Sequence, residues 1–146
     1  MWRAHEAPIV TEYRIGTYIY NDRSLVECGV CTWNDCALSI LVTVISTPDK
    51  NRAVIDAGSK MLTTDLFGQQ GFGHVLGRAD LSIYALSEEH GLLSSDTNTV
   101  NLKVGDRLQI IPNHCCVVSN MVDTVVLHQN GENIQECPVA ARGCVR

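Results

Sequence analysis

The stretch Arg107-Leu108-Gln109-Ile110-Ile111-Pro112-Asn113-His114-Cys115-Cys116 runs from a β-forming segment into two metal-ligating residue types. Its first half follows the turn signal Gly105-Asp106 and is rich in Leu and Ile, which predicts a strand. Pro112 has no amide to donate to a ladder, so the strand ends there. His114 and Cys116 follow at or just past that end, where alternate residues of extended backbone point the same way. On an α-helix the same two side chains would diverge by roughly 200°. An imidazole and a thiolate on one face suit a zinc-like ion. Two protein ligands leave coordination positions open for water or a substrate oxygen, which points to catalysis rather than a structural clip. Read alone, the spacing also fits a buried thiol beside a satisfied core histidine.

Working outward, β-rich runs bounded by turn residues recur at Gly16 to Tyr20, Leu38 to Ile45, Arg52 to Ile55, Leu81 to Leu86 and Thr124 to Leu127. The pattern predicts a mainly β fold, a compact barrel or sandwich. Helix is expected only as short turns after Cys116 and from Gly58 to Leu66. Asn130-Gly131 predicts a tight turn after the Thr124 run. At 146 residues the chain has room for one domain. Its net charge of −5 and lack of a basic cluster argue against a nucleic-acid surface, and no apolar run is long enough for a membrane span. The N-terminal residues Met1 to Glu6 lack the apolar core of a secretory signal, so a cytoplasmic protein is expected.

Seven cysteines show no disulfide framework. Cys28, Cys31 and Cys36 have no nearby fourth ligand to complete a second zinc site, and scattered buried thiols explain them as well. Two polar clusters stand apart from the strands. Leu86 to Gly91 holds Glu88, Glu89 and His90 where functional groups are often presented, although a solvated turn has the same composition. Asp56 to Lys60 contains Gly58, which can bring the backbone close to a partner or simply end a strand.

Thr11 to Tyr18, Arg52 to Lys60, Leu86 to Gly91, Gly105 to Arg107, Pro112 to Cys116 and Ala141 to Gly143, in that order, resemble the C-terminal part of D-threonine aldolases and eukaryotic-type D-serine dehydratases. These are alanine-racemase-like, fold-type III enzymes that join an N-terminal (β/α)8 barrel carrying pyridoxal phosphate to a C-terminal β-domain carrying the metal. The resemblance covers nearly the whole chain. It implies that residues 1–22 are the tail of such a barrel and residues 23–146 the metal-bearing β-domain of alanine-racemase C-terminal type. His114 and Cys116 fall where the dehydratases place their zinc ligands; aldolases commonly have a carboxylate at the second position for a divalent metal, so Cys116 favours zinc. Arg14, Gly16 and Thr17 match the segment that lies against the cofactor, their plainer reading being a strand start with a surface arginine.

The resemblance implies a lyase acting on D-β-hydroxy amino acids, by retro-aldol cleavage to glycine and an aldehyde or by dehydration to pyruvate and ammonia. It also implies a homodimer. Glu88, His90 and Asp123 are candidates to orient a metal-bound water or a ligand imidazole, with turn-forming roles as the alternative. The family's cofactor lysine lies on the first barrel strand, and none of Lys50, Lys60 and Lys103 matches it. The chain therefore reads as a fragment, truncated product or split subunit that lacks its barrel and is inactive alone. A stand-alone, non-catalytic β-barrel that binds a metal or a partner is the competing reading, and a small Cys-rich zinc protein is a third.

Overall fold

Strand β1 (Ile40–Asp49) turns Ile40, Val42 and Val44 inward and is long enough to serve two neighbours. Its first half pairs antiparallel with β6 (Arg107–Ile111) and its second half with β2 (Arg52–Ile55). Register shifts after Val44 and again after Ser46 bend the strand between those partners. β2 continues to β5 (Gly91–Ser95), β5 to β4 (Leu81–Leu86), and β6 to the two-residue β3 (His74–Val75), giving the order β3-β6-β1-β2-β5-β4. The Phe72 amide donates to the Ile83 carbonyl at 3.0 Å and so links the two outer strands. The six strands form a nearly closed barrel in this computed structural model, which describes residues 9–144. Residues 1–8 of the expected barrel tail lie outside the described residues.

Val42, Val44, Ile55, Ile83, Leu93 and Ile110 fill the interior and are almost completely buried. Each such side chain contributes on the order of 1.5–3 kcal/mol of transfer free energy. A separate hairpin, β7 (Thr124–Gln129) and β8 (Glu132–Pro138), turns at Asn130 and Gly131, whose φ values of 53° and 84° are those of a type I′ turn. The helices are short: α1 (Arg23–Glu27), α2 (Ser59–Leu62) and α3 (Cys115–Met121). The last two lie where sequence predicts helix. Among the described residues no helix is long and apolar enough to cross a membrane.

The strand expected over Gly16 to Tyr20 is instead a 3-10 turn, Thr17–Ile19. Local bonds take its backbone groups, Ile19 donating to the Gly16 carbonyl and Tyr20 and Asn21 to that of Thr17. The Tyr20 carbonyl then accepts from the Ala37 amide, which ties the turn to the entry of β1.

The two polar clusters prove to be halves of one lock. The Ser59 and Lys60 amides donate to the Ser87 and Glu88 carbonyls at 2.8 and 3.1 Å, and Lys60 pairs with Glu89. Gly58 has an ordinary φ of −108°, but a Cβ there would run into the backbone of Ser87 and Glu88. Close approach, rather than an unusual dihedral, is what requires glycine. Gly58→Ala should therefore cost about 3 kcal/mol in urea unfolding; a loss below about 0.5 kcal/mol would mean that the β4–β5 turn simply moves aside.

Candidate functional site

The end of β6 anchors everything near His114. The Arg23 and Ser24 amides donate to the carbonyls of Pro112 and Asn113, which docks the start of α1 against this corner. The Asn113 side chain is buried and fully used. Its amide nitrogen donates to the carbonyls of Gly71 (2.9 Å) and Asp65 (3.3 Å), and its oxygen accepts from the Gly73 amide (3.0 Å) and Arg23 Nη1 (3.2 Å). Arg23 donates in addition to the carbonyls of Gln70 and Gly73. The segment between α2 and β3 is thereby stitched to the barrel. It presents Phe67, at a φ of +50°, with its ring stacked on His114 at 4.7 Å between centroids and 13° between planes. A bulky residue in the left-handed region is costly, about 1–3 kcal/mol, and here the surrounding bonds hold it.

Asp22 lies beneath, with none of its surface exposed. One carboxylate oxygen accepts from the Ser24 hydroxyl (2.5 Å) and the Leu25 amide (3.2 Å). The other accepts from the Cys115 amide at 3.0 Å and faces His114 Nδ1 at 3.2 Å. Burial pushes this carboxyl up, but the Ser24, Cys115 and Leu25 hydrogen bonds outweigh it and hold it below its ordinary range. An ionised carboxylate accepts only, so this contact calls for a proton on Nδ1, and a neutral imidazole so placed offers the Nε2 lone pair to a ligand. His114 is extended (φ −140°, ψ 111°) and makes no side-chain cap of its own. Asp22 caps α3 in its place.

The helix begins at Cys115, so the shape expected for the ligand pair needs correction. His114 is extended, but Cys116 sits in the first turn of α3 rather than on continuing strand, because the Cys115 amide turns inward to Asp22. Cys115 is buried, and burial followed by the Asp22 charge pushes its thiol well up, which leaves it a core group. Cys116 is exposed, with Thr17 Oγ1 3.7 Å from its sulfur. Of the predicted cofactor segment, then, Thr17 meets a predicted metal ligand. Arg14 is solvent-exposed and pairs with Glu12 at 2.9 Å, and Gly16 precedes the 3-10 turn on the surface.

The other candidates lie elsewhere. Glu88 and His90 sit at the β4–β5 turn, where the His90 amide bonds Ser87 Oγ at 3.2 Å, and Asp123 pairs with Arg142 at 3.0 Å. The carboxylate that reaches His114 is Asp22, which sequence reading passed over; an acidic residue in Asn21-Asp22-Arg23-Ser24 looks like a solvated turn. Its one signal is that of a helix N-cap three residues before Leu25. Burial pushes the Cys36 thiol up to about 11. Among the described residues no group of three or more His, Cys, Asp or Glu side chains is arranged to hold an ion.

Comparisons with known proteins bear on this geometry. The family described as "Putative serine dehydratase domain" matches residues 37–128. An uncharacterized protein of Mycobacterium tuberculosis is 39% identical over 127 residues, 84% of this chain and 96% of its own length. The 3-hydroxy-D-aspartate aldolase of Paracoccus denitrificans is 37% identical over 107 residues, 73% of this chain but 26% of the aldolase. Among solved structures, D-threonine aldolase from Filomicrobium marinum superimposes with a TM-score of 0.76 at 25% identity, over 90% of this chain and 36% of that one. Two variants of a D-threo-3-hydroxyaspartate dehydratase superimpose at 0.74 and 0.71, with 27% and 28% identity, each over 83% of this chain and 36% of the enzyme. In one a histidine is replaced by alanine; in the other, described as metal-free, it is the cysteine two positions further on.

Replacing Asn113 by Ala would strand the Gly71 and Asp65 carbonyls and the Gly73 amide, at about 1–3 kcal/mol for each buried group left unpaired. Chemical denaturation should show a loss of at least about 2 kcal/mol; a smaller loss would mean that the loop over His114 is held by something other than this side chain.

Proposed function

The chain belongs to the serine dehydratase domain family of D-serine dehydratases and D-threonine aldolases, and from that premise we propose that it is the metal-bearing domain of a lyase dependent on pyridoxal phosphate and a divalent metal. The substrates are D-β-hydroxy amino acids. The observation that carries the reading is the setting of His114: its Nδ1 faces a buried carboxylate oxygen at 3.2 Å, and the exposed Cys116 thiol follows at the spacing of the histidine and cysteine replaced in the dehydratase variants. These donors fit zinc, one imidazole nitrogen and one thiolate leaving room for further ligands. A bound divalent ion supplies Lewis acidity toward a substrate hydroxyl.

The chain's own residues do the rest of the local work. Asp22 keeps the proton on His114 Nδ1, Phe67 covers one face of the ring, and Thr17 brings the cofactor-facing segment against Cys116. Arg14, Gly16 and Thr17 remain the candidates to touch pyridoxal phosphate. The chain spans about a third of the enzymes it matches, and the lysine that anchors the cofactor is assigned to a barrel outside these 146 residues. Retro-aldol cleavage and dehydration both remain within the proposal, since the bases that choose between them are assigned to that barrel. Dimerisation belongs to it too, with Val126, Leu127 and Ile134 exposing apolar surface on the β7–β8 hairpin.

The match to nearly the whole of a short mycobacterial protein favours a second reading, a β-barrel that binds metal or a partner without catalysis. Two measurements bear on these readings. The purified chain, equilibrated with zinc and desalted, should hold about one ion and lose most of it in Cys116→Ala; unchanged zinc would put the ligands elsewhere. Mixed with pyridoxal phosphate, the chain should give no lysine-linked absorbance band and no turnover of D-threonine or D-serine. Such a band would overturn the assignment of the lysine to another segment. Turnover that appears when a family barrel polypeptide is added favours the lyase; zinc binding without any such turnover favours the binding module.

A further inference from the structure

We infer that Asp22 is the positioning residue of this site, fixing the His114 imidazole in a single rotamer and tautomer so that Nε2 is the atom offered to a metal ion. This rests on the metal-site reading above. The carboxylate is itself fixed without help from the imidazole: the Ser24 hydroxyl and Leu25 amide hold one oxygen and the Cys115 amide holds the other. What remains is a lone pair on the second oxygen, and it is directed at His114 Nδ1. Flipping the ring would exchange Nδ1 for a carbon and leave that oxygen facing a C–H. Phe67, stacked nearly parallel on the ring, hinders the rotation such a flip needs. Rotamer and tautomer are therefore set by the same two neighbours.

The arrangement is the carboxylate–histidine pairing that orients imidazole ligands and raises their basicity. It spans the chain, since Asp22 and His114 are 92 residues apart. A carboxylate needed only to cap α1 and α3 would have no reason to reach the imidazole. Asp22 contacts neither substrate nor metal in this account and acts through His114 alone.

The test begins with the metal-free wild-type chain, whose histidines are observed by long-range 1H–15N correlation above the ordinary imidazole titration range. His114 should show the Nδ1–H tautomer; the Nε2–H tautomer would overturn the inference whatever the metal does. Asp22→Asn keeps the shape and removes the charge, and zinc affinity by competition with a chelator should fall about 10–100-fold. Asp49→Asn, which removes a carboxylate paired with Arg52 rather than one facing His114, should leave zinc affinity unchanged. Equal losses in both variants would assign the effect to net charge rather than to the contact with His114 and overturn the inference. Should Asp22→Asn fail to fold, the wild-type tautomer still decides. A wild-type chain with the expected tautomer that binds no zinc would sink the metal-site reading and leave the orienting contact standing.

Discussion

A charge taken out of water must be surrounded by donors, and the fully buried Asp22 carboxylate imposes that demand on this corner of the molecule. Two backbone amides, a hydroxyl and an imidazole meet it. The consequences are structural before they are chemical. α1 starts where Leu25 can donate, α3 starts where Cys115 can donate, and Asp22 ties the two helix starts together. Tyr20 and Asn21 reinforce that join through their bonds to Ala37 and Asp35.

The barrel supplies what a single carboxylate cannot, a rigid frame with one decorated end. β6 stops at Pro112, and the next residue, Asn113, spends its side-chain hydrogen bonds on the loop from Asp65 to Gly73 and on Arg23. That loop carries Phe67 over His114 in a backbone conformation it would not choose alone. Asp22 from below and Phe67 from the side thus leave the imidazole little freedom. An open cavity of about 710 Å³ lies elsewhere, between β1, α3 and the β7–β8 hairpin, and His114, Cys116 and Asp22 do not line it.

Much of the barrel was legible because its strands carry their own evidence. Leu38 to Ile45, Leu81 to Leu86 and Arg107 to Ile111 are β-branched or aliphatic runs with turn residues at their ends, and all became strands. β5 was missed because Gly-Leu-Leu-Ser-Ser has almost no β propensity of its own; its pairing on both sides makes it a strand. β8, a polar sequence, is extended because β7 and the Asn130-Gly131 turn fold it back. The spacing of His114 and Cys116 singled them out, while the contact between Thr17 and Cys116 and the role of Asp22 depend on pairings some ninety residues long. No local pattern encodes such contacts. The two polar clusters illustrate the converse: each alone admitted a functional reading or a plain turn, and together they form a backbone lock around Gly58.

The proposed metal centre shares one ion between the imidazole of His114 and the sulfur of Cys116. X-ray absorption at the zinc edge of the loaded protein reads that donor set directly. One sulfur at about 2.3 Å, with the remaining neighbours nitrogen or oxygen at about 2.0–2.2 Å, is the result the geometry predicts. A shell without sulfur, or one built from three or four sulfurs, would contradict it.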